Sequence, residues 1–293
     1  MSEEERGQTL MREGENLLRR TSIWGVFNPN QKFDDAKEKF AKAASLFKMA
    51  KSWELAGRAF ERLAEMCDKL DIAHEANAAE IEAAEMYARV DKKKAVALFR
   101  SVASKSCELG RFPKAAQMLD NAGALLEDES DLEGAVDCYA KAADYYFSDR
   151  ANSKGNKSLE KVGLLSADLG AYGDAAKVFE QLGYSSLEST LLKFGSKKHF
   201  LHAGFCYLGK GDVVAARMNL GRYLGADLSL KDSRECVLYE ELCDAYEQLD
   251  VEAFTMALGR YDRILALDRW ETSLLLKVKK AIELTSNAEP DLS

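Results

Sequence analysis

The sequence FPKAAQMLDNAGALLEDES (residues 112–130) is followed at once by DLEGAVDCYAKAADYYFSD (131–149), and both segments follow one pattern. A small residue is followed by a bulky apolar residue four positions on and by another small residue eight positions on. The pattern falls on Ala115, Leu119 and Gly123 in the first segment and on Ala135, Tyr139 and Ala143 in the second. Residues four and eight positions apart lie on one face of an α-helix. The pattern therefore predicts a helix in each segment, with small residues that let a neighbouring helix approach closely.

The same pattern recurs from about residue 35 to residue 183 at a spacing of twenty residues, with one step of nineteen. The first small residues of the units are Ala36, Ala56, Ala76, Ala95, Ala115, Ala135, Gly155 and Ala175. Seven of the eight residues at the second position are bulky and apolar, Glu80 being the exception, and all eight at the third position are small. A unit of this length holds one helix of about four turns and a short connection. Two units therefore predict an antiparallel helix hairpin of about forty residues, close to the tetratricopeptide period.

The predicted fold is all-α, because a single hairpin cannot bury its apolar face and successive hairpins must stack. We expect a tetratricopeptide-like right-handed solenoid of antiparallel helix hairpins with a C-terminal helical bundle. Residues 1–183 should hold an N-terminal helix, an apolar loop and the repeats, residues 184–286 the bundle, and residues 287–293 a flexible acidic tail. The predicted repeat helices are 33–49, 51–68, 71–89, 92–109, 112–128, 131–148, 151–169 and 172–182. The predicted bundle helices are 198–209, 212–224, 231–249, 251–267 and 269–286.

Composition and cysteine spacing favour a soluble, cytosolic protein. The chain has 293 residues, of which 47% are hydrophobic and 31% charged, and its formal net charge is −8. This charge argues against general nucleic-acid binding, which needs a basic surface. The apolar runs are far shorter than the roughly 20 residues of a membrane span, and the acidic start MSEEERGQ is not typical of a signal peptide. The six cysteines show no CxxC spacing and are expected to be reduced, mostly buried thiols.

Candidate catalytic and metal-binding residues are few. His199 and His202 lie three residues apart in a predicted helix, as two ligands of a metal ion would, but no acidic residue or cysteine sits at matching spacing. The sequence contains no P-loop, GxSxG, HExxH or glycine-rich dinucleotide motif. We therefore expect neither enzymatic activity nor a cofactor. A metal hydrolase that uses the two histidines is a distant alternative.

Charged residues fall into two groups along the chain. Lys154, Lys157 and Lys161 are spaced three and four apart and predict one basic stripe along a helix. Basic residues that would extend this stripe on the same side of the stack are Arg111, Lys193, Lys197 and Lys198. The acidic residues of the C-terminal part are Asp212, Glu240, Glu241, Asp244, Glu247 and Asp250, with Glu289 and Asp291 in the tail. A run of charge can be a solvated face and nothing more, but clustered lysines in an acidic chain favour an acidic partner.

An unusual apolar segment follows the first predicted helix. The sequence TSIWGVFNPNQ (21–31) places Ile23, Trp24, Val26 and Phe27 beside glycine, proline and asparagine, which indicate a loop. These side chains either plug into the first hairpin or contact a membrane or a partner. Full burial of each contributes at most about 1.5–3 kcal/mol, so one such loop binds a bilayer weakly and needs further attachments.

Four segments carry a resemblance to a known family. They are FKMAKSWELAG (47–57), SADLG (166–170), KDSRECVL (231–238) and YDRILALDRWETSLLLKVKKAI (261–282). Together with the acidic tail they resemble the soluble NSF attachment proteins of the alpha type, from about residue 9 to the last residue. The resemblance implies an adaptor that hydrolyses nothing. Several copies would wrap a SNARE four-helix bundle, formed by syntaxin-like and other SNAREs, and present it to the AAA+ ATPase NSF for disassembly.

The resemblance also implies roles for individual residues. The family's SNARE-contacting positions correspond to Arg111, Lys157, Lys161, Leu191 and Lys197, and its NSF-facing positions to Asp212, Asp244, Glu247, Asp291 and Leu292. Its membrane-attachment loop corresponds to Ile23, Trp24, Val26 and Phe27, which implies a cytoplasmic protein in weak peripheral contact with membranes. The chain departs from the family pattern at Gln117, Gln248 and Pro290. The alternative from another class is a generic scaffold subunit of a coat or other multiprotein complex.

Overall fold

The computed structural model describes residues 1–19, 30–188 and 193–288, and within these ranges the regular structure is entirely helical. The helices are α1 (Glu3–Arg19), α2 (Gln31–Met49), α3 (Trp53–Lys69), α4 (Ala73–Tyr87), α5 (Lys92–Glu108), α6 (Phe112–Asp128), α7 (Leu132–Ser148), α8 (Asn152–Asp168), α9 (Tyr172–Leu187), α10 (Ser196–Gly209), α11 (Val213–Ala226), α12 (Arg234–Glu247), α13 (Val251–Asp262) and α14 (Arg269–Ala288). Short 3-10 turns lie at Lys193–Gly195 and Leu228–Leu230. The predicted all-α, tetratricopeptide-like fold is confirmed, and each predicted repeat helix is present.

The repeated pattern of small and bulky residues forms the helix contacts that it predicts. The small residues at both positions of all eight units are buried. A Cβ atom added to Gly123 would lie 3.0 Å from Cζ of Tyr139, the bulky residue of the next unit. The same arrangement places Phe179 over Gly163, again at 3.0 Å. Each glycine thus leaves room for an aromatic ring of the following helix, and this contact fixes the spacing between the two helices.

The turns between the helices also repeat with the period of the sequence. After α5, Gly110 has a φ of +69°, its N–H donates to the carbonyl of Cys107, and the N–H of Arg111 donates to the carbonyl of Ser106. This left-handed closure satisfies carbonyls at the helix end and suits glycine. Gly170 closes α8 in the same way. Residues with positive φ at equivalent turns are Lys51, Asp71, Ser130 and Arg150.

Two predicted helix ends are wrong. The helix predicted to end at 182 continues to Leu187 as α9, and the helix predicted over 251–267 ends at Asp262 as α13. Beyond α13 the carboxylate of Asp262 accepts the N–H of Leu267 at 2.8 Å. Asp268 and Glu271 then start α14, each side chain accepting the backbone N–H of the other residue at 2.8 Å. The bond to Asp262 competes with continuation of α13, and the reciprocal bonds of Asp268 and Glu271 form a capping box.

By its contacts the chain divides into two compact units, Met1–Ala151 and Asn152–Ser293. In the first unit, α1 to α7 pack each against the next along the chain. In the second, α10 is central, since it contacts α9, α11, α12 and α14 and is buried along most of its length. Its Phe200 stacks on Tyr223 of α11 with ring centroids 4.3 Å apart. The predicted change from repeat to bundle at residue 183 stays a prediction.

Candidate protein-binding surfaces

The lysine stripe lies on α8. Lys154 and Lys157 are exposed and Lys161 is half-buried, whereas Gly155 and Val162 face the core. The helix is held from behind by α14, whose Trp270 indole N–H donates to the Leu164 carbonyl at 3.2 Å. The three lysines therefore lie on the side of α8 that faces away from the core, with Lys154 and Lys157 the more exposed.

The other basic residues predicted for this surface have different surroundings. Lys197 is half-buried in the first turn of α10, and Lys198 turns towards α14, with its ammonium 3.5 Å from Asp268 and 3.6 Å from Glu271. Arg111 is exposed at the start of α6, in the unit Met1–Ala151. The predicted apolar contact Leu191 lies outside the described residues. Lys198 is thus partly neutralised by carboxylates of α14, and its place in the basic surface stays a prediction.

An exposed aromatic residue follows Lys193 in the chain, and the sequence analysis does not predict its exposure. Phe194 follows Lys193 in the 3-10 turn before α10, and 85% of its surface is exposed. Its apolar neighbours along the chain resemble core residues in composition, so the sequence alone does not reveal its exposure. The turn therefore offers an aromatic ring and cations together.

Several acidic residues of the C-terminal part are already engaged in bonds within the chain. Asp212 caps α11, since its carboxylate accepts the N–H of Ala215 at 3.0 Å, and the ammonium of Lys210 lies 3.3 Å from its other oxygen. These two interactions lower the pKa of Asp212 below its ordinary value, with the backbone bond the larger cause. Glu241 pairs with Arg260 at 2.8 Å, and Asp250 caps α13 through the N–H of Ala253.

Asp244 and Glu247 share one arginine. Arg217 of α11 donates from Nε to Glu247 Oε1 at 2.6 Å and from Nη2 to Glu247 Oε2 at 2.9 Å, and Nη2 also reaches Asp244 Oδ1. The hydrogen bonds from the guanidinium lower the pKa of Glu247 and raise that of Arg217. The residue that organises this acidic surface is therefore basic, and the charge pattern of the sequence did not reveal it.

The surface around Arg217 also has an apolar part. Val214 and Met218, one helical turn apart on α11, have 75% and 53% of their surface exposed. Because large exposed apolar side chains in helical register favour contact with a partner, α11 combines apolar and charged groups on accessible positions.

The two histidines fill a structural role in the second unit. His202 Nε2 lies 2.7 Å from Oε1 of Glu271, both side chains are buried, and the His202 ring lies 4.9 Å from that of Trp270. Burial alone would raise the pKa of Glu271, but the hydrogen bonds from His202 and from the Asp268 N–H bring it below its ordinary value. His202 has no acidic partner nearby in the sequence, and Glu271 of α14 takes that place. The contact between the two side chains joins α14 to α10.

His199 differs from its neighbour. Burial, followed by the nearby His202 and Lys198, lowers the pKa of His199 to about 4, which keeps the ring neutral near pH 7. No group of three or more histidine, cysteine, aspartate or glutamate side chains with the geometry to hold a metal ion occurs among the described residues. All six cysteines are free thiols, five of them buried.

The remaining predicted site residues fall in the undescribed parts of the chain. Ile23, Trp24, Val26 and Phe27 of the apolar loop lie outside the described residues, and so do Asp291 and Leu292 of the tail. Within the described ranges no helix is both long enough and apolar enough to span a bilayer.

The stacked helix hairpins place the chain in the class of helical-repeat proteins, whose extended surfaces are suited to binding other proteins. The model of one protein family, described as "Soluble NSF attachment protein, SNAP", matches residues 5–283. The chain belongs to this family. The family consists of adaptors without enzymatic activity, which confirms the expectation that the chain is not an enzyme.

Individual relatives match over nearly the whole chain. An alpha-soluble NSF attachment protein of Vitis vinifera is 36% identical, covering 99% of this chain and 98% of the relative. The alpha-soluble NSF attachment protein of Homo sapiens is 32% identical, covering 96% of each chain. A probable vesicular-fusion protein sec17 homolog of Schizosaccharomyces pombe is 33% identical, covering 97% of this chain and 98% of the relative.

Proposed function

We propose that this protein is an adaptor that binds SNARE complexes and recruits and stimulates an NSF-type AAA+ ATPase, which then disassembles the bundle. The observation that carries the proposal is the family match over residues 5–283. The exposed lysines of α8, the carboxylate of Asp212 that caps α11 and the carboxylates of Asp244 and Glu247 in α12 support a division of labour between two surfaces of opposite charge.

The lysine stripe is the proposed SNARE-binding surface. SNARE bundles carry acidic bands, so Lys157 and Lys161 attract them by charge complementarity. Lys197 adds a further cation, and the resemblance assigns separate SNARE contacts to Arg111 and Leu191. Each exposed charge contributes little by itself, typically about 0.2–1 kcal/mol. Several copies around one bundle therefore combine weak contacts into tight binding, which is lost once the bundle is disassembled.

The acidic end is the proposed docking surface for the ATPase. Asp212, Asp244 and Glu247 face a basic groove of its N-terminal domain, while Asp291 and Leu292 act in its stimulation. The loop with Trp24 and Phe27 adds a weak peripheral membrane contact that works together with the SNARE and ATPase contacts.

The central experiment is a disassembly assay with NSF, ATP and a labelled SNARE complex. Addition of this protein is expected to accelerate disassembly, and failure to do so would end the proposal. Lys157→Glu combined with Lys161→Glu is expected to weaken SNARE binding at least tenfold, since two attractions become repulsions. Lys177→Glu with Lys277→Glu makes the same change in net charge at exposed positions elsewhere, and it should bind nearly as the parent does.

A truncation tests the proposed role of the tail. Removal of the residues after Glu289 is expected to leave SNARE binding unchanged and to reduce stimulation of the ATPase. Equal stimulation by the shortened protein would show that Asp291 and Leu292 are not needed.

A further inference from the structure

The carboxylates proposed to receive the basic groove of the ATPase are held by a cation of the same chain. Arg217 forms a two-bond fork with Glu247, at 2.6 and 2.9 Å, and it also bonds Asp244. The three side chains together carry a net charge of about −1 rather than −2. A partner's lysine or arginine is therefore attracted less strongly than it would be by the two carboxylates alone.

The geometry makes Arg217 a competitor of the partner. It takes one oxygen of Asp244 and both oxygens of Glu247. These are the oxygens with which a bidentate arginine of a partner would pair. An incoming cation must share them with Arg217 or displace it.

Displacement is feasible because the network lies at the surface. Asp244 and Glu247 have 60% and 42% of their side-chain area exposed, and Arg217 has 36%. Exposed ion pairs are weak and exchange readily with water and salt. Arg217 is thus anchored firmly enough to occupy the carboxylates but not so firmly that it blocks them.

The apolar neighbours give the exchange a driving force. Val214 and Met218 lie on the same helix as Arg217 and are exposed. A partner that covers them removes apolar surface from water, and this gain offsets the bonds that Arg217 gives up.

We propose that Arg217 is a displaceable internal counterion that weakens docking of the basic ATPase domain and thereby favours its release. This inference rests on the proposed function, since the partner is the N-terminal domain of an NSF-type ATPase. Docking exchanges the bonds of Arg217 for bonds from the partner's cations, and undocking restores them within the chain. Arg217 therefore acts on affinity through the two carboxylates rather than by contact of its own.

The test measures the dissociation constant of the full-length protein for the isolated N-terminal domain of the ATPase at low and at physiological salt. Arg217→Gln is expected to bind about three- to tenfold more tightly, as one or two exposed ion pairs become available to the partner. Its binding should also weaken more steeply with salt, because more charge is neutralised on docking. Arg222→Gln is the matched control, because Arg222 lies on the same helix and bonds Asn219 rather than a carboxylate. It should change affinity by less than about twofold.

A second set of variants separates counterion action from a structural effect. When Asp244→Asn and Glu247→Gln are already present, Arg217→Gln should give no gain in affinity, because no carboxylate remains for Arg217 to neutralise. A gain that persists in this background would contradict the proposal. Unchanged or weaker binding of Arg217→Gln alone would also overturn it, with weaker binding indicating that Arg217 positions the carboxylates for the partner. If the unaltered protein neither binds the domain nor accelerates SNARE disassembly by NSF, the proposed function itself fails, whereas acceleration without any measurable binding of the domain overturns only the role given to Arg217.

Discussion

Replacement of Gly204 by alanine tests whether close helix contacts, rather than helix formation, decide the stability of the second unit. Gly204 lies in the middle of α10, and a Cβ atom there would lie 2.5 Å from Cε2 and 2.7 Å from Cε1 of Tyr239, and closer still to Cζ. The Tyr239 ring has little freedom to move away. It is 1% exposed, and its hydroxyl donates to the Ala216 carbonyl at 3.0 Å.

Two effects of opposite sign decide the result. Alanine favours a helix over glycine by about 1 kcal/mol. Forcing an extra methyl group into a packed core costs about 1–3 kcal/mol. Because Tyr239 is held on its ring and at its hydroxyl, the cost should lie near the upper end of this range. We expect Gly204→Ala to lower the free energy of unfolding by about 1–2 kcal/mol.

The matched control is Gly259→Ala on α13. Gly259 is exposed, and a Cβ atom there meets no atom within 4 Å, so the change should stabilise the protein by up to about 1 kcal/mol. Urea unfolding followed by circular dichroism would measure both variants. If Gly204→Ala proves as stable as Gly259→Ala, the Tyr239 ring does not exclude a side chain at position 204.

Three further perturbations address other parts of the molecule. Glu271→Ala removes both the capping bond of α14 and the partner of buried His202, and should cost about 2–4 kcal/mol in urea unfolding; a cost below 1 kcal/mol would contradict this role. Because burial lowers the pKa of His199 from 6.5 to about 4, the unfolded state binds more protons between these values. Stability should therefore fall by up to about 3 kcal/mol as the pH drops from about 6.5 to about 4, and His199→Gln should flatten this part of the profile. Trp24→Ser with Phe27→Ser should reduce disassembly of SNARE complexes on liposomes more than in solution, whereas an equal reduction would favour a structural plug.

Much of the fold is predictable because its signals are local. The pattern of small, bulky and small residues places a contact face on each repeat helix, and the aromatic ring of Tyr139 over Gly123 is the contact that it predicts. Gly110 and Gly170 mark helix ends because the left-handed turn there favours glycine. Where such signals compete, prediction fails, as at the end of α13, where Asp262 bonds the N–H of Leu267 instead of leaving the helix to continue.

The candidate surfaces are less predictable, because charge in a sequence does not reveal its pairing. The stripe with Lys157 follows from helical spacing, and its exposure agrees with that spacing. The pairing of Asp244 and Glu247 with Arg217 does not follow from helical spacing, because Arg217 lies 27 and 30 residues earlier in the chain. The exposed ring of Phe194 had no distinguishing signal either.

The sequence alone determined the helices, their twenty-residue repeat and the face on which each packs, because these depend on side chains within two or three turns of one another. Only the tertiary structure decided which charges are neutralised and which remain accessible. Glu271 meets His202 across 69 residues, and the indole N–H of Trp270 reaches the Leu164 carbonyl across 106. Such pairings depend on how helices stack, because a hydrogen bond needs its two atoms within about 3 Å, wherever they lie along the chain.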